Sequence, residues 1–230
     1  MNKPNSFLAI IPARAGSKRL PNKNRLSLCG KPLIAWSIEA AKKSQYLSHI
    51  VVSSDDEAIL TLASELEVEA LQRPSEFAKD TSSTVDVIKH VLQYHPNYEY
   101  IVLLQPTSPL RTSQHIDQAI ELLNKKNADA IISVSPTEHS PLWCNTLPKD
   151  NDMSGFLKEE LKTKRSQDLP TYYQLNGAIY ICKTSALLKE NSLFLKENIF
   201  AYVMDKKSSV DIDDELDFLF AQTILEQDLS

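Results

Sequence analysis

The chain has 230 residues, with 25 Lys and Arg against 30 Asp and Glu, a formal net charge of −5, and 42% hydrophobic residues. That length suits a single α/β domain with a sizeable core, and the acidic balance excludes the broad basic face of a general nucleic-acid binder. Three scattered cysteines, Cys29, Cys144 and Cys182, have neither disulfide-framework nor metal-ligand spacing and read as reduced thiols of a cytoplasmic protein. The polar start MNKPNS has no signal-peptide core, and no stretch approaches the ~18 apolar residues of a membrane span.

Phe7 to Ile11 is an apolar run of strand length closed by Pro12. It opens into a loop carrying Arg14, Lys18, Arg19, Lys23 and Arg25, five cations in twelve residues. Gly16 and Ser17 let the backbone come close to a ligand, so the loop reads either as a polyphosphate site or as a solvated charged loop. It is expected to be exposed. Neither GxGxxG nor GxxxxGKS/T occurs here, so phosphate would be held mostly by side chains. Residues 33–43 have a helical apolar face with Pro32 near the first turn. A β-branched strand follows at 49–54, then a helix over 57–66 begun by Asp55-Asp56, then a short strand at 68–71. The alternation predicts an α/β fold, a three-layer Rossmann-like and mostly parallel sheet, with ligands bound beyond the carboxyl ends of the strands.

A polar loop from Arg73 leads to a helix that Ser82, Ser83 or Thr84 could cap. Residues 100–104, YIVLL, form the most apolar strand and read as central. They run into Gln105, whose amide can serve sugar or ribose hydroxyls or simply be a satisfied loop amide, and Arg111 reads as positioning that turn. A helix over 113–126 and a strand over 128–134 follow. From 136 to 173 the alternation breaks into a polar, proline-interrupted stretch, either an interaction arm or a disordered loop. Strands at 176–183 and 200–205 precede the strand end and helix of VDIDDELDFLFAQTILEQ. In an extended segment Asp211 and Asp213 face one side, where they could share a hard cation; alternatively Asp213 or Asp214 caps the helix. The five histidines are scattered and read as structural.

The loop PARAGSKRLPNKN resembles the signature of the sugar-activating cytidylyltransferases, the N-acylneuraminate (CMP-sialic acid) type in particular. Four further stretches are similar in the same order. These are Arg73-Pro74 with Asp80-Thr81-Ser82, LLQPTSPLR at 103–111, NGAIYI at 176–181 and SVDIDDELD at 209–217. The resemblance covers nearly the whole chain. It implies the nucleotide-diphospho-sugar transferase type of sheet as one domain over 1–230, with residues 136–173 forming the arm of a homodimer. The implied reaction couples CTP to a nonulosonic acid, with Mg2+ as cofactor.

The resemblance also distributes roles along the chain. Arg14, Lys18 and Lys23 would neutralise the triphosphate and the leaving pyrophosphate. Pro12, Ala13, Arg14, Gly16, Asn24, Arg73, Ser82 and Thr84 would hold the nucleotide, and Asp211 and Asp213 the metal. Gln105, Trp143, Arg165, Gln174 and Asn176 would face the sugar, Arg165 as a candidate for its carboxylate. Trp143 and Gln174 stand where sialate-specific members tend to have lysine and arginine. That substitution, and the stretch SPLWCNTLP, point toward a sugar such as legionaminic acid. The alternatives are a cytidylyltransferase for Kdo or pseudaminic acid, or a non-catalytic nucleotide-sensing protein of the same fold, which would have no need of both aspartates.

Overall fold

The structure is a computed structural model and describes residues 6–17, 19–78 and 82–229. Lys18, Asp80 and Thr81, and the first five residues of the polar start, lie outside the described residues. In chain order the elements are β1 Phe7–Pro12, β2 Ser27–Leu28, β3 Lys31–Pro32, α1 Leu33–Lys42, β4 His49–Ser54, α2 Glu57–Glu65, β5 Glu69–Gln72 and α3 Thr84–Tyr94. They continue with β6 Tyr100–Leu103, α4 Ser113–Lys126, β7 Ala130–Pro136, β8 Tyr173–Lys183, α5 Thr184–Glu190, β9 Ile199–Val203 and α6 Glu215–Leu229.

Seven strands form one sheet in the order β5-β4-β1-β6-β8-β7-β9. Only β8 runs antiparallel to its neighbours; the remaining pairings are parallel. The mostly parallel sheet expected from the alternation is therefore present. Strand periodicity explains the layers. Phe7, Ala9 and Ile11 of β1 face a core shared with Ile34 and Ile38 of α1, Ile59 of α2, and Ile116 and Ile120 of α4. Leu8 and Ile10 face the opposite core, shared with Ile88 and Val91 of α3 and Leu187 of α5. Strands buried on both faces read as continuous apolar runs, which is why β1 and β6 were conspicuous in the sequence. A third cluster, with Leu28, Leu33, Ile212 and Ile224, fastens α6 to the main body.

Side-chain caps mark the starts of α2, α3 and α4. Asp56 Oδ1 accepts from the Ala58 amide at 3.0 Å to open α2, and Ser83 Oγ accepts from Asp86 at 3.1 Å to open α3. The Thr112 hydroxyl and the His115 ring close a reciprocal cap on α4. The helix-capping role left open among Ser82, Ser83 and Thr84 thus falls to Ser83.

Two expected elements differ. The strand anticipated at 176–183 begins at Tyr173, because Pro136 and Tyr173 are paired residues of β7 and β8. The excursion leaves and re-enters the sheet at one point, closed by the Thr137 amide donating to the Tyr172 carbonyl at 2.9 Å. It contains three short 3-10 turns, Pro141–Trp143, Glu159–Leu161 and Ser166–Asp168, and most of its residues are exposed. The segment holding Asp211 and Asp213, anticipated as a strand end, is irregular and reaches the body through the Ile212 amide, which donates to the Thr107 carbonyl at 2.8 Å. Among the described residues no helix is long and apolar enough to cross a membrane.

Candidate active site

At the carboxyl ends of β1, β5 and β6 the loops after the strands enclose a cleft of about 430 Å3. Pro12, Arg14, Gly16, Lys23 and Asn24 line one wall, and Arg73, Ser82 and Thr84 line another. Gln105, Thr107, Asp211 and Asp213 complete it. Residues more than 180 positions apart are brought together because β1 pairs with β6, the central strand, and the 211–213 segment is tied to the loop after β6.

The basic loop is braced along its length. The Ala13 amide donates to the Ser53 carbonyl at 3.0 Å, and Ala13 is itself fully buried beneath the cleft. The Ala15 amide donates to Asp55 Oδ1 at 2.9 Å, and Asn24 Nδ2 to the Arg14 carbonyl at 3.2 Å. Asn22 takes the left-handed conformation, φ 57°, to turn the chain into a short 3-10 helix over Lys23–Arg25. The expected exposure of this loop does not extend to Lys23. Its side chain is only 11% exposed, donates to the Ile212 carbonyl and lies 3.5 Å from Asp213 Oδ1. Arg19, by contrast, is 72% exposed and reaches Asp213 Oδ2 at 2.9 Å.

Arg73 is the deepest cation of the cleft. Its Nε donates to Ser53 Oγ at 3.2 Å and its Nη2 to the Ser53 carbonyl. Burial pulls its pKa down to about 10, opposed by the neighbouring Asp55 carboxylate and reinforced by Arg14. It still carries its proton at neutral pH. Ser82 donates to the Glu76 carbonyl at 2.9 Å, and Phe77 and Val87 add apolar surface beside it. A flat heterocycle suits that combination of hydroxyl, backbone and apolar wall.

Asp211 is open to the cleft yet flanked by protein on several sides. This desolvation raises its pKa, and Asp213 and Asp217 add repulsion, while a Thr107 hydrogen bond and Lys23 act the other way. Two carboxylates in one cleft, one of them incompletely neutralised, are a donor set suited to a hard divalent cation completed by phosphate oxygens and water. Gly177, φ +71°, borders them: a Cβ there would lie 2.5 Å from Gln105 Oε1 and 3.5 Å from Asp211 Oδ2.

The residues assigned to the sugar are dispersed. Gln105 lines the cleft. Asn176 is buried behind it, its Oδ1 accepting from Ser133 Oγ at 2.6 Å and its Nδ2 donating to Ser209 Oγ at 2.9 Å. Gln174 lines a separate cavity with Lys206 and Lys207. Trp143 and Arg165 lie in the excursion, and Arg165 pairs with Asp168 at 3.1 Å. Arg111 is buried, and its Nη1 donates to the Gln105 and Ala178 carbonyls at 3.1 and 3.0 Å, holding the turn as the sequence suggested. The sequence reading passed over Thr107 and Asp55. Thr107 sits inside the quoted stretch LLQPTSPLR, so its hydroxyl was a findable signal; Asp55 was read only as part of a helix start.

A mostly parallel sheet whose strand-end loops set cations opposite two carboxylates is an α/β architecture with a cleft suited to a polyphosphate and a divalent cation. Residues 8–223 match the sequence model of the family described as cytidylyltransferase, and the chain belongs to that family. It is 39% identical over 219 residues to an N-acylneuraminate cytidylyltransferase of Escherichia coli O18:K1:H7, covering 95% of this chain and 52% of that protein. The chain thus spans about half the length of that relative. It is 35% identical to a CMP-N,N'-diacetyllegionaminic acid synthase of Legionella pneumophila, with 96% of each chain covered. In fold it is similar to a CMP:2-keto-3-deoxy-manno-octonic acid synthetase complexed with CTP, with a TM-score of 0.75 and 16% identity over 97% of this chain and 100% of that one.

Proposed function

We propose that the protein couples CTP to a nonulosonic acid, sialic or legionaminic, releasing pyrophosphate and forming the CMP-sugar. The observation that carries the reading is the meeting of Lys23 with Asp211 and Asp213 in one cleft whose other end holds Arg73, Ser82 and Thr84. The anomeric hydroxyl oxygen forms a bond to the α-phosphorus, the bond from that phosphorus to the bridging oxygen breaks, and pyrophosphate leaves with the electron pair. The hydroxyl proton passes to solvent. Such a reaction asks the protein mainly for positioning and charge neutralisation.

Lys23 and Arg14 would neutralise the phosphates, with Lys18 in the same role, and Asn24 would keep the loop in place through the Arg14 carbonyl. Pro12 and Gly16 would present backbone at the strand end, with Ala13 packed beneath them, and Ser82 and Thr84 would lie beside the base. Asp211 and Asp213 would hold Mg2+, which when bound neutralises phosphate charge and lowers the pKa of a coordinated hydroxyl. Gln105 would meet the sugar. Trp143, Arg165 and Gln174 lie outside their own chain's cleft, which supports a homodimer in which the 136–173 arm serves a partner's sugar pocket. The three free cysteines support a reducing, cytoplasmic setting.

The test is pyrophosphate release from CTP and Mg2+ with sialic, legionaminic and pseudaminic acids and Kdo in parallel. Turnover should be strongest with legionaminic or sialic acid. CTP binding without release for all four would favour the nucleotide-sensing alternative, and preference for Kdo or pseudaminic acid would correct the substrate.

Gly177→Ala tests the close packing behind the cleft. A Cβ at φ +71° costs about 1–2 kcal/mol and displaces the end of Gln105. We expect a lower melting temperature together with a kcat/KM loss of up to ~10²-fold from misplacement of a positioning group. A variant with wild-type kinetics would show that Gln105 does not position substrate.

A further inference from the structure

At the opposite end of the sheet from the cleft, three chemistry-bearing side chains converge. His49 is the first residue of β4, Glu69 the first residue of β5, and His95 the residue that closes α3. His49 Nε2 lies 2.7 Å from Glu69 Oε2, and His95 Nε2 lies 2.9 Å from Glu69 Oε1. The two imidazole rings are 4.8 Å apart, tilted by 47°. Their candidate ligand atoms all fall within 4.8 Å of one another.

We propose that His49, Glu69 and His95 form a binding site for one transition-metal ion, of the zinc type, separate from the cleft. Two imidazoles and a carboxylate are the ligand set of zinc sites that keep a fourth position for water, and imidazole suits zinc, nickel and copper while magnesium prefers all-oxygen sites. With metal–ligand bonds of about 2.1 Å, tetrahedral ligands stand about 3.4 Å apart. A histidine nitrogen and the carboxylate oxygen it now contacts therefore need to open by less than 1 Å, and no pair of ligand atoms needs to close by more than about 1.4 Å, within reach of side chains that retain solvent access. A metal entering here would replace the two histidine–glutamate hydrogen bonds.

Access and enclosure are both present. The side chains of His49 and Glu69 are 33% and 34% exposed, that of His95 17%. The Tyr98 ring covers one side, stacked on His49 at 6.0 Å and edge-on to His95 at 6.3 Å. β4 has six residues, which puts the cluster roughly 20 Å from the cleft. An ion there would join the starts of two strands to the end of α3, whose own start lines the cleft, and by binding only the folded chain it would stabilise it.

The probes are Zn2+ and Co2+ alone, added to tag-free, metal-stripped protein in magnesium-free buffer. We expect one saturable Zn2+ site per chain by calorimetry, a rise in melting temperature, and for Co2+ the intense visible absorption of a four-coordinate nitrogen–oxygen site. His49→Gln and His95→Gln should each weaken binding by more than the ~10–100-fold that loss of an outer-shell partner costs, and Glu69→Gln serves if either fails to fold. Asp211→Asn and Cys144→Ser should leave Zn2+ binding intact, which separates the site from the cleft and from the exposed thiol. No saturable Zn2+ binding, or binding undiminished in the histidine variants, would overturn the proposal, whatever the outcome of the CTP assay.

Discussion

Lys23→Ala is expected to lower kcat for pyrophosphate release by about 10²–10³-fold, the loss that follows removal of one preorganised group facing developing negative charge. The structure adds a consequence that sequence alone did not suggest. Lys23 is nearly buried and ties the basic loop to the Ile212 carbonyl and to Asp213. Its loss therefore removes a hydrogen bond to a buried charged group, worth about 1.5–3 kcal/mol. The melting temperature should fall along with kcat. Lys23→Arg separates the two roles: a longer guanidinium can restore the tie and the stability while misplacing the charge. Normal turnover in Lys23→Ala would eliminate the phosphate role, and full stability with low turnover would eliminate the bracing role.

Asp211→Asn is expected to lower kcat by about 10²–10³-fold as well, by removing a carboxylate proposed to hold Mg2+ together with its charge, and to alter the Mg2+ concentration dependence of the rate. Its effect on stability should have the opposite sign from that of Lys23→Ala. Desolvation, aided by repulsion from Asp213, raises the folded-state pKa of Asp211 above its unfolded value. The folded state therefore binds the extra proton in the window between the two values, and stability is lost as pH rises through it. At neutral pH the ionised carboxylate opposes folding, so a neutral amide of the same size should raise the melting temperature of metal-free protein. Site residues that trade stability for activity in this way are common. An unchanged Mg2+ profile would remove the ligand role, and a lower melting temperature without metal would remove the account of a strained charge.

The two variants test two halves of one electrostatic arrangement. Two cations of the loop, Lys23 and the exposed Arg19, pair with Asp213 of the 211–213 segment. A polyphosphate and a divalent cation arriving together would re-sort those pairs, cation loop to phosphate and carboxylates to metal. An arrangement of that kind keeps the site assembled before substrate arrives, so less ordering is needed on binding.

The sequence by itself determined what depends on neighbours along the chain. Phe7 to Pro12 was legible as a buried strand because its apolar run is continuous. HIVVSS at 49–54 was legible because β-branched residues fill a pleated core strand, and the observed bounds coincide. The ordered motifs identified the family, since spacing along the chain survives as long as the loops that carry it. Only the tertiary structure decided what depends on strand order. It buried Lys23 against a carbonyl 189 positions away, gave the α3 cap to Ser83 rather than its neighbours, and set Asn176 into a buried hydrogen-bond network behind the cleft. It also drew His49, Glu69 and His95 into one cluster although the sequence showed five scattered histidines. Periodicity reports which face of an element is apolar, but the partner of that face is set by which strands lie side by side, and that order emerges only when the whole sheet has assembled.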